Sequence, residues 1–256
     1  MKNQSGNGKR MKSLLQTKIA MLLLGLAMCL SLALGITLAS PTATASAETA
    51  LAPYSIIYIE GIEDGKLNDG WYLGTDGYHK YMGDPSTGYV AKYKDGILTL
   101  NDYHGGAIGT SASGAGFYTV NLIGENVITT AGQNGLYLTS SNGGLLTVTS
   151  DTGGSLAINV TNESSVWGID AGSEQYKNNV IIGGNAKVSI DITSSGANME
   201  THGINANELT VEGEANLDIT AKNTNSETSL HSWVEGIFAY SAVRLDTAGT
   251  INIDVT

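Results

Sequence analysis

The sequence predicts an all-β protein: a right-handed parallel β-helix whose coils of about 33 residues each carry three strands, with an aromatic-rich β cap at the N-terminal end. Three observations carry this reading. A Gly followed by an aliphatic residue recurs at Gly135-Leu136, Gly168-Ile169, Gly203-Ile204 and Gly236-Ile237, at intervals of 33, 35 and 33 residues. Each pair is followed by a short apolar run, a turn and an alternating run, the last being Leu156 to Val160, Val188 to Ile192, Leu217 to Ile219 and Ile251 to Val255. Apolar residues alternate at spacing two, and no stretch shows the i, i+3, i+4, i+7 pattern of an amphipathic helix, so helical repeats are excluded. A fixed period of this size marks units that bury their apolar faces only against their neighbours. A β-propeller is the main rival, but its blades need four strands and the repeats here are too few to close a ring.

Residues 1–47 read as a signal peptide. Lys2, Lys9, Arg10, Lys12 and Lys18 give a basic start, Ile19 to Ala39 is apolar, and Ala45-Ser46-Ala47 is a small-residue cleavage site. The protein is therefore expected to be secreted or on a bacterial cell surface, cleaved near Ala47 and not inserted in a membrane afterwards. The apolar run is also long enough to serve as an uncleaved anchor. Cys29 lies inside it behind Met28, a poor setting for lipidation, and the exported part has no cysteine for disulfides. The leader holds five of the 13 basic residues and none of the 24 acidic ones. So acidic an exported chain argues against nucleic acid and anionic membrane as partners.

Residues 48–95 form the expected cap segment. Tyr54 to Glu60 is a strand rich in β-branched and aromatic residues, and frequent Asp-Gly pairs break the stretch after it into turns. Eight of the twelve tyrosines lie between Tyr54 and Tyr103, with Trp71 among them. An open solenoid end exposes strand edges and must be covered, which accounts for this aromatic segment. The alternative is a sugar-stacking surface made of Trp71, Tyr72, Tyr78 and Tyr81. In the same segment Glu63, Asp64, Asn68 and Asp69 surround Gly65 with oxygen ligands, a candidate structural calcium site. No cofactor is otherwise required.

Residues 96–256 are the coils. Ile97 to Leu100 reads as the first stacked strand, and a weaker copy of the repeat starts at Gly106-Ala107-Ile108. Stacking predicts interior ladders such as Leu156, Val188, Leu217 and Ile251, about 4.8 Å apart. Gly183-Gly184, Gly213 and Gly249 are expected at positive-φ corners. The connections Thr161–Trp167, Thr193–His202 and Ala221–Glu235 vary most, and insertions in a solenoid collect on one face, often the binding face. Trp167 and Trp233 sit shortly before repeat glycines, so they either line that face together or fold back over the coil. The last unit runs out at Thr256 without a polar cap, so the chain is expected to be a fragment of a longer surface protein.

Catalytic sets are poorly represented. No G-x-S-x-G, H-E-x-x-H or phosphate loop occurs. A lyase would need an Arg or Lys base beside calcium, and Arg244, the one arginine after the leader, has Glu208, Glu212 and Asp246 within reach at most. A hydrolase would need paired carboxyls; Asp191 and Asp218 stack about 5 Å apart if both face out. The histidines at 79, 104, 202 and 231 read as turn or cap residues, with no acid pair near either His-Gly.

Gly203-Ile-Asn-Ala-Asn-Glu-Leu-Thr-Val-Glu-Gly213, Leu217-Asp-Ile-Thr-Ala221 and Asp95-Gly-Ile-Leu-Thr-Leu-Asn-Asp-Tyr103 resemble exported β-helix surface proteins of Gram-positive bacteria. These include carbohydrate-binding-domain-like proteins of pectate-lyase-like fold. The resemblance covers about Asp95 to Thr256 and implies binding of plant, host or cell-wall polysaccharide, in some members with calcium. The function expected is a non-catalytic extracellular module for adhesion or polysaccharide binding. The alternatives are a structural stalk that displays another domain and a polysaccharide lyase or hydrolase.

Overall fold

The computed structural model describes residues 51–75, 80–112, 114–173, 175–197, 199–225 and 232–256; the leader with its cleavage site, Tyr78, His79 and His231 lie outside them. Leu51–Thr256 is one compact unit, and it is a β-solenoid.

The first coil contains Ile108–Ala112, Gly116–Ile123 and Glu125–Ala131, and the second Leu136–Ser140, Gly144–Ser150 and Ser155–Asn162. The third contains Val166–Asp170, Asn179–Gly184 and Lys187–Ser194. In the fourth, the first two strands run on as Glu200–Gly213 before Asn216–Asn223; in the last, Trp233–Thr247 precedes Ile251–Val255. Coil-to-coil pairing is parallel on all three faces.

The register produces one aliphatic ladder per face. Ile108, Leu136, Ile169, Ile204 and Ile237 stack on the first face. Leu98, Val120, Val148, Ile182, Val211 and Leu245 stack on the second. The ladder expected on the third, Leu156, Val188, Leu217 and Ile251, is present. Asn126 occupies its next rung toward the N-terminus, where its amide bonds Tyr103 N, Ile123 O and Ser155 O. Each rung away from the ends is fully buried, which is worth about 1.5–3 kcal/mol per aliphatic side chain.

The repeat glycines have a packing reason. Gly168 and Ile169 are both buried, between the half-buried Trp167 and Asp170, so the period of two is broken there. A Cβ on Gly135, Gly168, Gly203 or Gly236 would fall 2.2, 2.3, 2.4 or 2.2 Å from the Cγ2 of Ile158, Ile190, Ile219 or Ile253. The first face therefore rests directly on the isoleucines of the third, and only glycine fits. Among the expected corner glycines, Gly184 and Gly213 do take positive φ (62° and 71°). Gly183 and Gly249 do not: one left-handed residue completes the turn, and Gly249 is held instead by close approach, its Cβ position 2.1 Å from Ala215 O.

The cap abandons parallel stacking. Tyr89–Lys94 pairs antiparallel with both Ile97–Asn101 and Trp71–Gly74, and Ile56–Ile59 pairs antiparallel with Lys66–Asn68 and with the first coil at Ile108. Tyr93 and Tyr118 are fully buried. Their hydroxyls donate to Tyr54 O and Tyr137 O, the second bond at 2.8 Å. Buried rings whose polar tips are satisfied in this way serve as core.

Candidate functional site

The inward pairs of Gly and Ile leave two outward positions in every coil: the residue before the glycine and the residue two after it. Stacking turns these into columns. Trp167, His202 and Glu235 are register partners across the last three coils, and Asp170, Asn205 and Phe238 form the parallel column. A third column, Glu200 and Trp233, lies just upstream.

All of these except Glu235 line a cleft of about 400 Å³, completed by Gly172 and Tyr240. Trp167 and Trp233 do line one face, as one of the two expectations had it. Trp233 is 58 % exposed at the rim. Trp167 meets His202 edge-on at 6.1 Å, His202 lies at 5.1 Å from Phe238, and Phe238 meets Tyr240 edge-on at 4.8 Å.

Hydrogen bonds fix the polar groups. Asp170 accepts from Asn134 Nδ2 at 2.7 Å on Oδ2 and from Asn205 Nδ2 at 3.0 Å on Oδ1. Asn205 Nδ2 also donates to Gly172 O at 2.8 Å. Asn134 Oδ1 accepts from Trp167 N at 3.2 Å, so neither amide can be flipped without losing a partner. Burial pushes the Asp170 carboxyl up to about 6, against the opposing hydrogen bonds from Asn205 and the Gly172 amide.

His202 is the residue that sequence reasoning missed. It is 3 % exposed in mid-strand, and Trp167 Nε1 donates to its Nδ1 at 3.1 Å. Burial lowers its pKa, opposed by Glu235 and Glu200, so it is neutral near pH 7 with its proton on Nε2. That atom faces Glu235 Oε2 at 3.6 Å. The signal was available: His202 precedes a repeat glycine as Trp167 and Glu235 do, and Glu235, the acid facing its Nε2, comes from the neighbouring coil rather than from neighbouring sequence.

The other candidates are not brought to this site. Tyr72 and Tyr81 pair across the cap hairpin with rings 5.2 Å apart, whereas Trp71 points the other way and packs against the core. They do not make one stacking surface, and Tyr78 is outside the described residues. The proposed calcium set is stretched out. Asp64 sits in the turn Glu63–Gly65, while Asn68 ends the extended strand Lys66–Asn68 and Asp69 follows it, about 10 Å of chain away. Asp69 Oδ1 accepts from Asp95 N at 2.6 Å. Among the described residues no group of three or more His, Cys, Asp or Glu is placed to hold a metal.

Arg244 Nε donates to Glu208 Oε1 at 2.5 Å on an exposed surface, away from the cleft. Asp191 and Asp218 do not stack: Asp191 pairs with Thr220 and Asp218 with Ser189, so the two are offset by two residues along the strands. Both belong to the solvated outer surface of the third face.

The chain matches no protein-family model, no curated protein and no solved structure.

Proposed function

We propose that this protein is an extracellular, non-catalytic module that binds polysaccharide, with the cleft around Trp167, His202 and Trp233 as its binding site. The carrying observation is four aromatic side chains and a fixed polar set in one open cleft of about 400 Å³. Ligand sites are concave, largely apolar and aromatic, with a few placed polar groups. Flat rings suit the apolar faces of pyranoses, and an open cleft admits an internal unit of a chain. The basic, apolar leader supports export, and the acidic surface suits an uncharged or cationic glycan better than an anionic one.

The test is depletion of the purified protein by a panel of insoluble and soluble polysaccharides, with product release measured in the same tubes. Binding without unsaturated or reducing-end products, lost in Trp233→Ala, is expected. Product release would replace this reading with a polysaccharide-degrading enzyme, and absence of both binding and products would leave a structural stalk.

A further inference from the structure

The polar groups of the cleft are one-sided. Asp170 and Glu200 line it as acids, and no Lys or Arg lines it among the described residues. Several of the donors present are already engaged. The Trp167 indole N–H goes to His202, and the Asn134 and Asn205 amide groups go to Asp170 and Gly172. The remaining proton on His202 Nε2 has no hydrogen-bond partner, Glu235 Oε2 lying 3.6 Å away.

An acceptor is left over as well. Asn205 is 5 % exposed and lines the cleft, yet its Oδ1 is buried with no hydrogen-bond partner. Its amide cannot be turned to hide this atom, because Nδ2 is held by two acceptors, Asp170 Oδ1 and Gly172 O. A buried acceptor without a partner is costly, and a donor from water or from a ligand relieves that cost. Beside it stands a carboxylate that burial makes reluctant to ionise, in a cleft also lined by Trp167, Phe238 and Tyr240.

A ligand complementary to this wall carries several donors, a positive charge and an apolar ring face. An ammonium group has three donors and no acceptor, and it is attracted both by carboxylates and by aromatic faces. We infer that the cleft recognises a hexosamine unit bearing a free, protonated amino group, as in a de-N-acetylated glycan, with the ammonium held by Asp170 and Asn205 Oδ1 and the ring against the aromatic walls. This inference rests on the glycan-binding reading above and names its ligand class.

A lysine side chain of a protein partner offers the same ammonium, but the cleft favours the sugar. Its aromatic residues are set on the third and last coils, two coils apart, instead of closing round a single stem. An ammonium fixed directly on a rigid ring also forfeits less rotational freedom on binding than one at the end of four methylenes.

The test compares oligosaccharides of glucosamine with the same oligosaccharides after N-acetylation, by titration calorimetry on the purified protein near neutral pH. The free-amine form is expected to bind at least about tenfold more tightly, the lower end of what a charge-assisted hydrogen bond contributes. Asp170→Asn should abolish that preference; Glu200→Gln provides a second reading should the first variant misfold. Trp233→Ala should weaken both forms alike. Equal affinity for the two forms in the unaltered protein overturns the inference and leaves glycan binding standing. Failure of every glycan to bind overturns both. Asp170-dependent binding of a lysine-rich peptide, in preference to the amino sugar, would reassign the site to a protein partner.

Discussion

Replacing Asp170 by Asn should change the stability of this protein in opposite directions at neutral and acid pH. Its carboxyl is raised from 3.8 to about 6 because burial disfavours the charge. Between those values the folded state holds a proton that the unfolded state has lost, so stability falls as pH rises through the window, and the full cost is present above it. Two pKa units amount to about 3 kcal/mol at pH 7, an upper bound because the side chain is only partly screened from water. The neutral amide avoids that cost but creates another. Asn134 and Asn205 both present NH2 groups to residue 170, their orientations fixed by Trp167 N and Gly172 O. An Asn there offers one oxygen to two donors, a loss of about 1 kcal/mol. The balance is a gain of about 2 kcal/mol at pH 7, or about 4–8 °C in Tm for a unit of this size. Near pH 4, where the acid is already protonated in the folded state, only the loss of about 1 kcal/mol remains. Thermal unfolding followed by circular dichroism between pH 4 and 7 should show the two melting curves crossing. A variant destabilised equally at both ends would refute the reasoning, since it would mean that the carboxylate is fully compensated where it stands.

Other perturbations separate packing from recognition. Gly203→Ala drives a Cβ to 2.3 Å from Gly236 O and 2.4 Å from Ile219 Cγ2; overpacking against backbone should cost about 3 kcal/mol, whereas Gly114→Ala, with nothing within 4 Å, should leave Tm unchanged. Trp233→Ala removes a side chain that is 58 % exposed, so glycan affinity should fall at least about tenfold with Tm within a degree or two. Ligand affinity should fall as pH drops through about 6, because Asp170 takes up its proton there; the other groups around it are Asn134, Asn205, Tyr137, Phe238, His202 and Glu200, and a flat profile from pH 5 to 7 would count against its role. Arg244→Ala breaks only an exposed pair with Glu208, worth under about 1 kcal/mol, and should leave binding intact.

The coil was legible in the sequence because its causes are local and repeated. A Gly every 33 to 35 residues and apolar residues at spacing two name both the strands and their register, down to the ladder from Leu156 to Ile251. What the sequence hid was which glycines serve conformation and which serve close approach: Gly184 and Gly249 look alike until the neighbouring coil is in place. The site was half legible. Trp167 and Trp233 stood out by residue type, but His202, Asp170, Asn205 and Phe238 did not, because each is ordinary in its own segment and becomes a site only by stacking on residues about 33 positions away. The pairing expected for Asp191 and Asp218 failed for the same reason, since a shift of two residues in register separates them.

The same geometry that makes the fold repetitive makes the site possible. Because Gly and Ile both turn inward at each repeat, the outward residues on either side of them are parted by an indentation, and stacked coils extend it into a groove. In the second coil those two positions hold Asn134 and Tyr137, and Asn134 is spent on orienting Asp170 and the Trp167 backbone. In the third, fourth and last coils they hold Trp167 and Asp170, His202 and Asn205, and Glu235 and Phe238, so the chemistry changes while the backbone does not. A stalk would have no reason to bury a histidine and an asparagine on its outer surface and leave their polar atoms unpartnered, at a cost of about 1–3 kcal/mol for each such atom. Substituting both columns at once, with His202→Leu and Asn205→Leu, should therefore abolish glycan binding, with thermal unfolding reporting that the variant is still folded. Binding retained in the folded variant would place the ligand elsewhere on the solenoid.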